Sequence, residues 1–322
     1  MTDSDGRDVS ILVYWSCPDE ALATIARRFP AATVNLCCHK DDFAPLLAEH
    51  RPQILLSVDK LKPRARRELL EAASVRWLHA ANTGIDHLTP WPAERLTVTN
   101  SPVHGEVLAD YVIAAVLAMN LGFPRFAAQQ RDRVWQAHAL PPLRGRTLAV
   151  VGFGRIGQGV GTRARALGMR VVGLRVTPEA SPAADDVRSI ERLHETLGEA
   201  DFVALTLPLT ARSRGMIDAA AIAAFKPGAF LINVARGGIV DEAALLAALD
   251  REKIAAAYLD VFATEPLPAD SPFWGKDNVV VTPHTGDREN WQQAAIDLFC
   301  DNLARWNAGQ PLLNVTDPNR GY

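Results

Sequence analysis

The sequence predicts an α/β protein of two domains, each a parallel sheet with helices on both faces. Three observations lead there. The chain has 322 residues, too many for one ordinary core. Short apolar runs alternate with helical patterns throughout, and such alternation closes through right-handed crossovers into parallel sheets. The alternation is broken once, by the strongly apolar stretch Ala109–Asn120, which reads as a buried helix, and begins afresh at Arg146.

In the first third the strands are Ile11–Trp15, Ala32–Cys37, Ile54–Val58, Arg76–Ala81 and Leu96–Thr99, with amphipathic Glu20–Phe29 and Ala65–Ala73 between them. This set makes a small flavodoxin-like sheet. The later strands are Leu148–Val151, Arg170–Leu174, Phe202–Leu207, Phe230–Val234, Ala256–Asp260 and Val279–Val281. Six parallel strands make a complete doubly wound Rossmann domain. That domain is finished at Val281, so the last helix, Trp291–Asn307, is expected to return to the first. The expected boundaries are 1–101 with 286–322 for a substrate domain and 102–285 for a dinucleotide-binding domain, with bends near Ser101–His104 and Thr285–Arg288. Pro178–Asp186, rich in Ala, Pro and Asp, reads as a surface loop.

A net charge of −3 gives no basic surface for nucleic acid or an anionic membrane. The start, MTDSDGRDVS, lacks the basic-then-apolar order of a signal peptide, and no apolar stretch reaches membrane-spanning length. The four cysteines, Cys17, Cys37, Cys38 and Cys300, form no C-x-x-C pattern. Cys37 and Cys38 end an apolar run and read as buried free thiols, which places the protein in the reducing cytoplasm with no metal expected.

Val151-Gly152-Phe153-Gly154-Arg155-Ile156-Gly157 holds a G-x-G-x-x-G between an apolar run and the helix Ile156–Leu167, the context in which the pattern binds a dinucleotide. Gly152 permits the tight turn, Gly154 admits a pyrophosphate, and Gly157 lets helix and strand pack closely. The helix N-terminus with Arg155 and Ile156 then faces the phosphates. An acidic residue about 20 residues on would accept the adenosine ribose hydroxyls. Arg175 stands there instead, followed by Thr177. A guanidinium pairs with a 2′-phosphate and cannot accept a hydroxyl, so NADP is preferred over NAD; the other reading is a solvated loop arginine.

Three later motifs each end a strand: Ile232-Asn233-Val234-Ala235-Arg236-Gly237-Gly238, Leu259-Asp260-Val261-Phe262-Ala263-Thr264-Glu265-Pro266, and Val281-Thr282-Pro283-His284-Thr285-Gly286. In a parallel sheet the strand C-termini share one edge, so Arg236, Asp260, Glu265 and His284 are expected to gather beside the glycine turn.

With these motifs in this order, the chain resembles the D-isomer-specific 2-hydroxyacid dehydrogenase family from about Leu78 to His284. The resemblance makes Arg236, Glu265 and His284 catalytic and sets Asp260 against the nicotinamide carboxamide. It assigns Asn82, Thr83 and Gly84 to a loop whose backbone N–H groups bind the substrate carboxylate. It places Leu207, Pro208, Thr210, Ser213, Val234, Ala235 and Gly286 along the cofactor. His104 and His87 read as structural or surface residues. Trp135 is open between substrate-pocket, interface and core roles.

Hydride arriving at C2 of a 2-keto acid leaves negative charge on the keto oxygen. Arg236 is suited to bind the carboxylate and that oxygen together, and His284 to donate the proton, with Glu265 favouring the imidazolium. The implied activity is reduction of a small 2-keto acid, or oxidation of the D-2-hydroxy acid, with NADP or NAD. The alternatives are formate or phosphite oxidation and a nucleotide-sensing corepressor. Formate enzymes of this kind carry glutamine where Glu265 stands, and phosphite enzymes carry lysine where Thr83 stands. A phosphoglycerate enzyme is expected to carry an arginine near Ala80 and a regulatory extension. The apolar helix Tyr111–Leu121 and the arm Phe123–Trp135 match segments that pair cofactor domains in relatives, so a homodimer is expected.

Overall fold

The computed structural model describes residues 9–18, 20–286 and 289–318. The chain divides into two compact units, 1–103 with 288–322, and 104–287. Of the bends expected at the crossings, Thr285–Arg288 lies in part outside the described residues.

The first unit begins β1 (Ser10–Tyr14), α1 (Ala23–Arg28), β2 (Thr33–Cys37), α2 (Phe43–His50), β3 (Ile54–Ser57), α3 (Pro63–Glu71), β4 (Trp77–Ala80) and β5 (Thr97–Asn100). The strands pair in parallel in the order β2-β1-β3-β4-β5. β1 and β3 are apolar nearly throughout because both their faces are covered. Leu12, Leu55 and Leu78 pack against Phe43, Leu47 and Leu69 on one face.

The second unit holds α4 (Gly105–Asn120), α5 (Phe123–Asp132), β6 (Thr147–Val151), α6 (Arg155–Ala166), β7 (Arg170–Arg175), β8 (Asp186–Ser189), α7 (Leu193–Glu199), β9 (Phe202–Leu205), α8 (Ala219–Ala224), β10 (Ala229–Asn233), α9 (Glu242–Asp250), β11 (Ile254–Leu259) and β12 (Val279–Val281). All seven strands are parallel, in the order β12-β11-β10-β9-β6-β7-β8, which reverses direction between β6 and β9. α4 lies so close to α6 that a Cβ on Gly159 would stand 3.1 Å from Ala109 Cβ.

The last helix, α10 (Trp291–Asn307), belongs to the first unit. Its Ala295, Ile296, Phe299 and Leu303 cover the second face of the first sheet, over Ile11, Val13 and Trp77. Beyond it the chain bridges back to β5 at Thr99↔Val315.

Two expectations need correction. The second sheet has seven strands where six were expected, because β8 pairs with β7 from Val172↔Asp186 to Arg175↔Ser189. β8 reads Asp-Val-Arg-Ser and offers no apolar run. It is an edge strand whose Arg188 is buried by ion pairs with Asp186 (2.6 Å) and Glu199 (3.0 Å) rather than by hydrocarbon. The segment Pro178–Asp186 is accordingly not all surface loop. Asp186 begins β8, and Ala183 is buried against Gly161.

Candidate active site

β10, β11 and β12 end at Asn233, Leu259 and Val281, and their parallel pairing puts the three following loops at one sheet edge. The Asn233 side chain shapes the first loop, accepting from Ala235 N (3.0 Å) and donating to Arg236 O (3.2 Å). Val234 and Ala235 are buried, and Arg236 emerges half-buried with Nη1 donating to Ala235 O (2.7 Å). Gly237 admits no side chain, since a Cβ there would fall 1.9 Å from the Phe262 carbonyl carbon. The Arg236 loop and the Phe262–Glu265 loop therefore touch backbone to backbone.

Glu265 anchors its own loop by accepting from Phe262 N through Oε1 (3.0 Å), which leaves Oε2 to accept from His284 Nδ1 (2.7 Å). The pair is about one-third exposed on each side. His284 has φ +51°, a left-handed conformation unusual outside glycine. Asp260 holds it there. Its carbonyl accepts from His284 N (2.8 Å), and its Oδ1 accepts from Thr285 N (3.0 Å) and Thr282 Oγ1 (2.7 Å). Gly286 N reaches Oδ2 at 3.3 Å. From α4, the Tyr111 hydroxyl meets Thr282 Oγ1 (2.6 Å) and Asp260 Oδ1 (3.2 Å), and burial pushes its pKa well above the usual phenol range. Asp260, 1% exposed, thus ties α4 and the His284 loop together.

The glycine turn lies between β6 and α6. Gly152 takes φ +97°, and a Cβ on it would collide with Leu207 at 2.6 Å. Its N–H and that of Phe153 donate to Leu174 O, binding the turn to β7 (2.9 and 2.8 Å). Gly157 packs against Gly152 O, Ile156 is half-buried, and Arg155 is exposed at the start of α6. A Cβ at Gly154 would meet nothing within 4 Å, so the backbone there is open to a ligand at the α6 N-terminus, a fit to a dinucleotide pyrophosphate. Arg175 ends β7 next to this turn, 3.5 Å from the exposed Glu179. Leu207 and Pro208 follow β9. Ser213, buried, donates to Pro208 O (2.6 Å) and accepts from Thr210 N (2.8 Å), so its hydroxyl shapes this loop from within.

Asn82, Thr83 and Gly84 lie in the first unit, in the loop after β4. His104 is buried and His87 half-buried. Trp135 is fully exposed (103%), which removes a place in the core. Cys37 and Cys300 are buried with thiol pKa values raised by burial to about 11, whereas Cys38 is half-buried and Cys17 exposed. A shallow groove of about 570 Å³ near Asp250, Glu252 and Lys276 opens at the opposite end of β10–β12 and contains none of the expected site residues.

The structure thus joins Glu265, His284, Asp260 and Gly286 by hydrogen bonds and seats Arg236 on the adjoining loop. Sequence reasoning missed Tyr111, Thr282 and Asn233 as its supports. A lone tyrosine in an apolar helix and the threonine inside the third motif were the available signals.

The order of the second sheet and the open glycine turn define a doubly wound dinucleotide-binding protein with an ionisable trio at the strand ends. The family model described as "D-isomer specific 2-hydroxyacid dehydrogenase, NAD binding domain" matches residues 113–286. The chain belongs to the D-isomer-specific 2-hydroxyacid dehydrogenase family. It is 34% identical over 316 residues to glyoxylate/hydroxypyruvate reductase B of Salmonella newport, covering 91% of this chain and 94% of that one. It is 34% identical over 265 residues, 80% of its length, to D-3-phosphoglycerate dehydrogenase of Methanocaldococcus jannaschii, of which it spans 50%. The chain therefore spans about half the length of the phosphoglycerate dehydrogenases it matches. A solved family member from Xanthobacter autotrophicus Py2, in complex with NADPH and MES, has a TM-score of 0.84 and 31% identity, covering 97% of this chain and 99% of that one.

Proposed function

We propose that the protein is a cytoplasmic, NADPH-preferring reductase of small 2-keto acids such as glyoxylate and hydroxypyruvate. The observation behind this reading is the His284–Glu265 hydrogen bond of 2.7 Å on loops that adjoin Arg236. Glu265 is the carboxylate that a hydroxyl-proton reaction needs, so the formate alternative has no support. Thr83 and the buried, uncharged Ala80 give none to phosphite or phosphoglycerate.

In this reading the glycine turn would hold NADPH, which would supply the hydride, and Arg175 would pair with its 2′-phosphate in competition with Glu179. The Asn82–Gly84 backbone binds the substrate carboxylate. Arg236 neutralises the charge that develops on the keto oxygen, an interaction strongest in the transition state. Glu265 takes Nδ1 of His284, so the proton given to the oxygen leaves from Nε2. The left-handed backbone at His284 and its tie to Asp260 fix the direction in which the ring is presented.

A panel of 2-keto acids assayed with NADPH and NADH tests the assignment. Turnover of glyoxylate or hydroxypyruvate that is lost in Arg236→Ala supports it, whereas no turnover of any 2-keto acid by the wild type overturns it.

A homodimer completes the proposal. Phe123, Val134, Trp135 and Leu140 are all exposed, yet their segment is ordered by Gln129 bonding to Gln136 O (3.3 Å) and to His138 (3.1 Å). An ordered apolar arm in water fits a second copy of the chain. Sedimentation as a monomer at micromolar concentration would exclude this.

A further inference from the structure

The Asn82–Gly84 loop is tied down by a buried polar chain that none of the roles above employs. It begins on β4, where the Trp77 indole N–H donates to Thr99 Oγ1 on β5 (2.9 Å). His79, two residues on and 0% exposed, meets Thr99 Oγ1 through Nδ1 (2.8 Å) and Ser101 Oγ through Nε2 (2.8 Å). Ser101, also 0% exposed, is the first residue past β5. Its backbone grips the loop: Ser101 N donates to Asn82 O (3.3 Å), and Ser101 O accepts from Thr83 Oγ1 (3.0 Å). Asn100 Nδ2 adds a bond to Thr83 O (2.7 Å), and Asn82 Nδ2 reaches Val58 O (3.1 Å). Behind the imidazole stands Phe299 of α10, ring centres 5.5 Å apart.

A buried sheet position of this kind is ordinarily filled by hydrocarbon. An imidazole there is tolerated only if its nitrogens find partners, and here both do. A phenyl ring would fill nearly the same space. What the imidazole adds is a fixed orientation for the buried Ser101 hydroxyl, and through Ser101 a fixed anchor for Asn82 and Thr83. We infer that His79 is a positioning residue for the substrate carboxylate, acting through Ser101 on the Asn82–Gly84 loop. The inference rests on the reading of that loop as the carboxylate site.

Backbone donors must stand within a fraction of an ångström of their productive positions, so a loosened anchor weakens substrate binding before it affects anything else. His79→Phe and Ser101→Ala are each expected to raise KM for the 2-keto acid about tenfold, the equivalent of one buried hydrogen bond. KM for NADPH should stay within about twofold, since the dinucleotide elements lie in the other unit. The double variant should be no worse than either single one, because both break the same link. Ser101→Ala removes one oxygen and keeps the test open should His79→Phe fold poorly.

Gly84→Pro, which deletes one loop N–H, separates the two ideas. A raised KM in Gly84→Pro with unchanged KM in both other variants overturns the role of His79 and leaves the loop reading intact. An unchanged KM in Gly84→Pro overturns the loop reading and the inference with it. Equal rises in KM for keto acid and NADPH, or additive effects in the double variant, also overturn the inference, since they report general damage or independent actions.

Discussion

Each unit contains a histidine held by specific hydrogen-bond partners, one inside β4 and one in the loop after β12, and the two are opposites. His79 is fully buried between Thr99 and Ser101, and burial lowers its pKa to about 3, so it is neutral and electrically silent near neutral pH. His284 is about one-third exposed, and one nitrogen meets a carboxylate rather than a hydroxyl. Hydroxyl partners satisfy a neutral ring in either tautomer and give a proton nowhere to go. A carboxylate partner takes Nδ1 and leaves the far nitrogen for the proton transfer proposed above. The same side chain is enclosed by hydroxyls in one place and half-exposed beside a carboxylate in the other, which suits it to the strut role and the acid–base role proposed above.

The largest expected effect tests the half-exposed member of this pair. His284→Ala should lower kcat about 100-fold or more, the usual contribution of positioned proton transfer. Steady-state kinetics with the preferred keto acid check it, and an intact rate would place the chemistry elsewhere.

The silent member should reveal itself in stability. Its folded pKa lies below the value of 6.5 for a free histidine, so the unfolded chain binds the extra proton. The stability it contributes is therefore complete above about pH 6.5 and is lost as pH falls toward about 3. Thermal melts of wild type and His79→Phe between these limits should converge as pH falls. Parallel curves would mean that His79 is not kept neutral by the fold.

A smaller effect is expected at the cofactor end. Arg175→Asp should erase or reverse a preference for NADPH of about tenfold in kcat/KM, because a charge-assisted phosphate contact is worth about 1.5–3 kcal/mol before solvent screening. The saturating kcat should barely change, and an unaltered cofactor ratio would make Arg175 a solvated residue at the end of β7, paired with Glu179.

The smallest concerns the support of His284. Tyr111→Phe keeps the ring packed against Tyr258 and removes only the hydroxyl that joins α4 to Thr282 and Asp260. About 1 kcal/mol of stability and a several-fold loss of kcat are expected, read by melting and turnover. A stable variant with full activity would show that Asp260 holds the loop unaided.

Several features were legible in the sequence because they are local. The glycine turn needs residues within one short segment, and Arg236, Glu265 and His284 each follow an apolar strand that announces itself. The strand β8 was illegible, because an edge strand buried through the ion pairs of Arg188 has no hydrophobic period. Ser213 is expected in a loop along the cofactor, and its hydroxyl bonds Pro208 O within that loop, a detail that spacing does not encode.

The sequence by itself determined the parallel α/β architecture, the glycine turn and the ionisable residues that follow three of its strands, since periodicity and short motifs specify these directly. Tertiary structure decided which groups those residues meet. Tyr111 lies 149 residues from Asp260 along the chain and 171 from Thr282, yet its hydroxyl reaches both. His79 reaches Ser101 only because β4 and β5 pair in the register that sets His79 opposite Thr99. Whether a histidine is a strut or an acid depends on such partners and on burial, and both are properties of the folded chain.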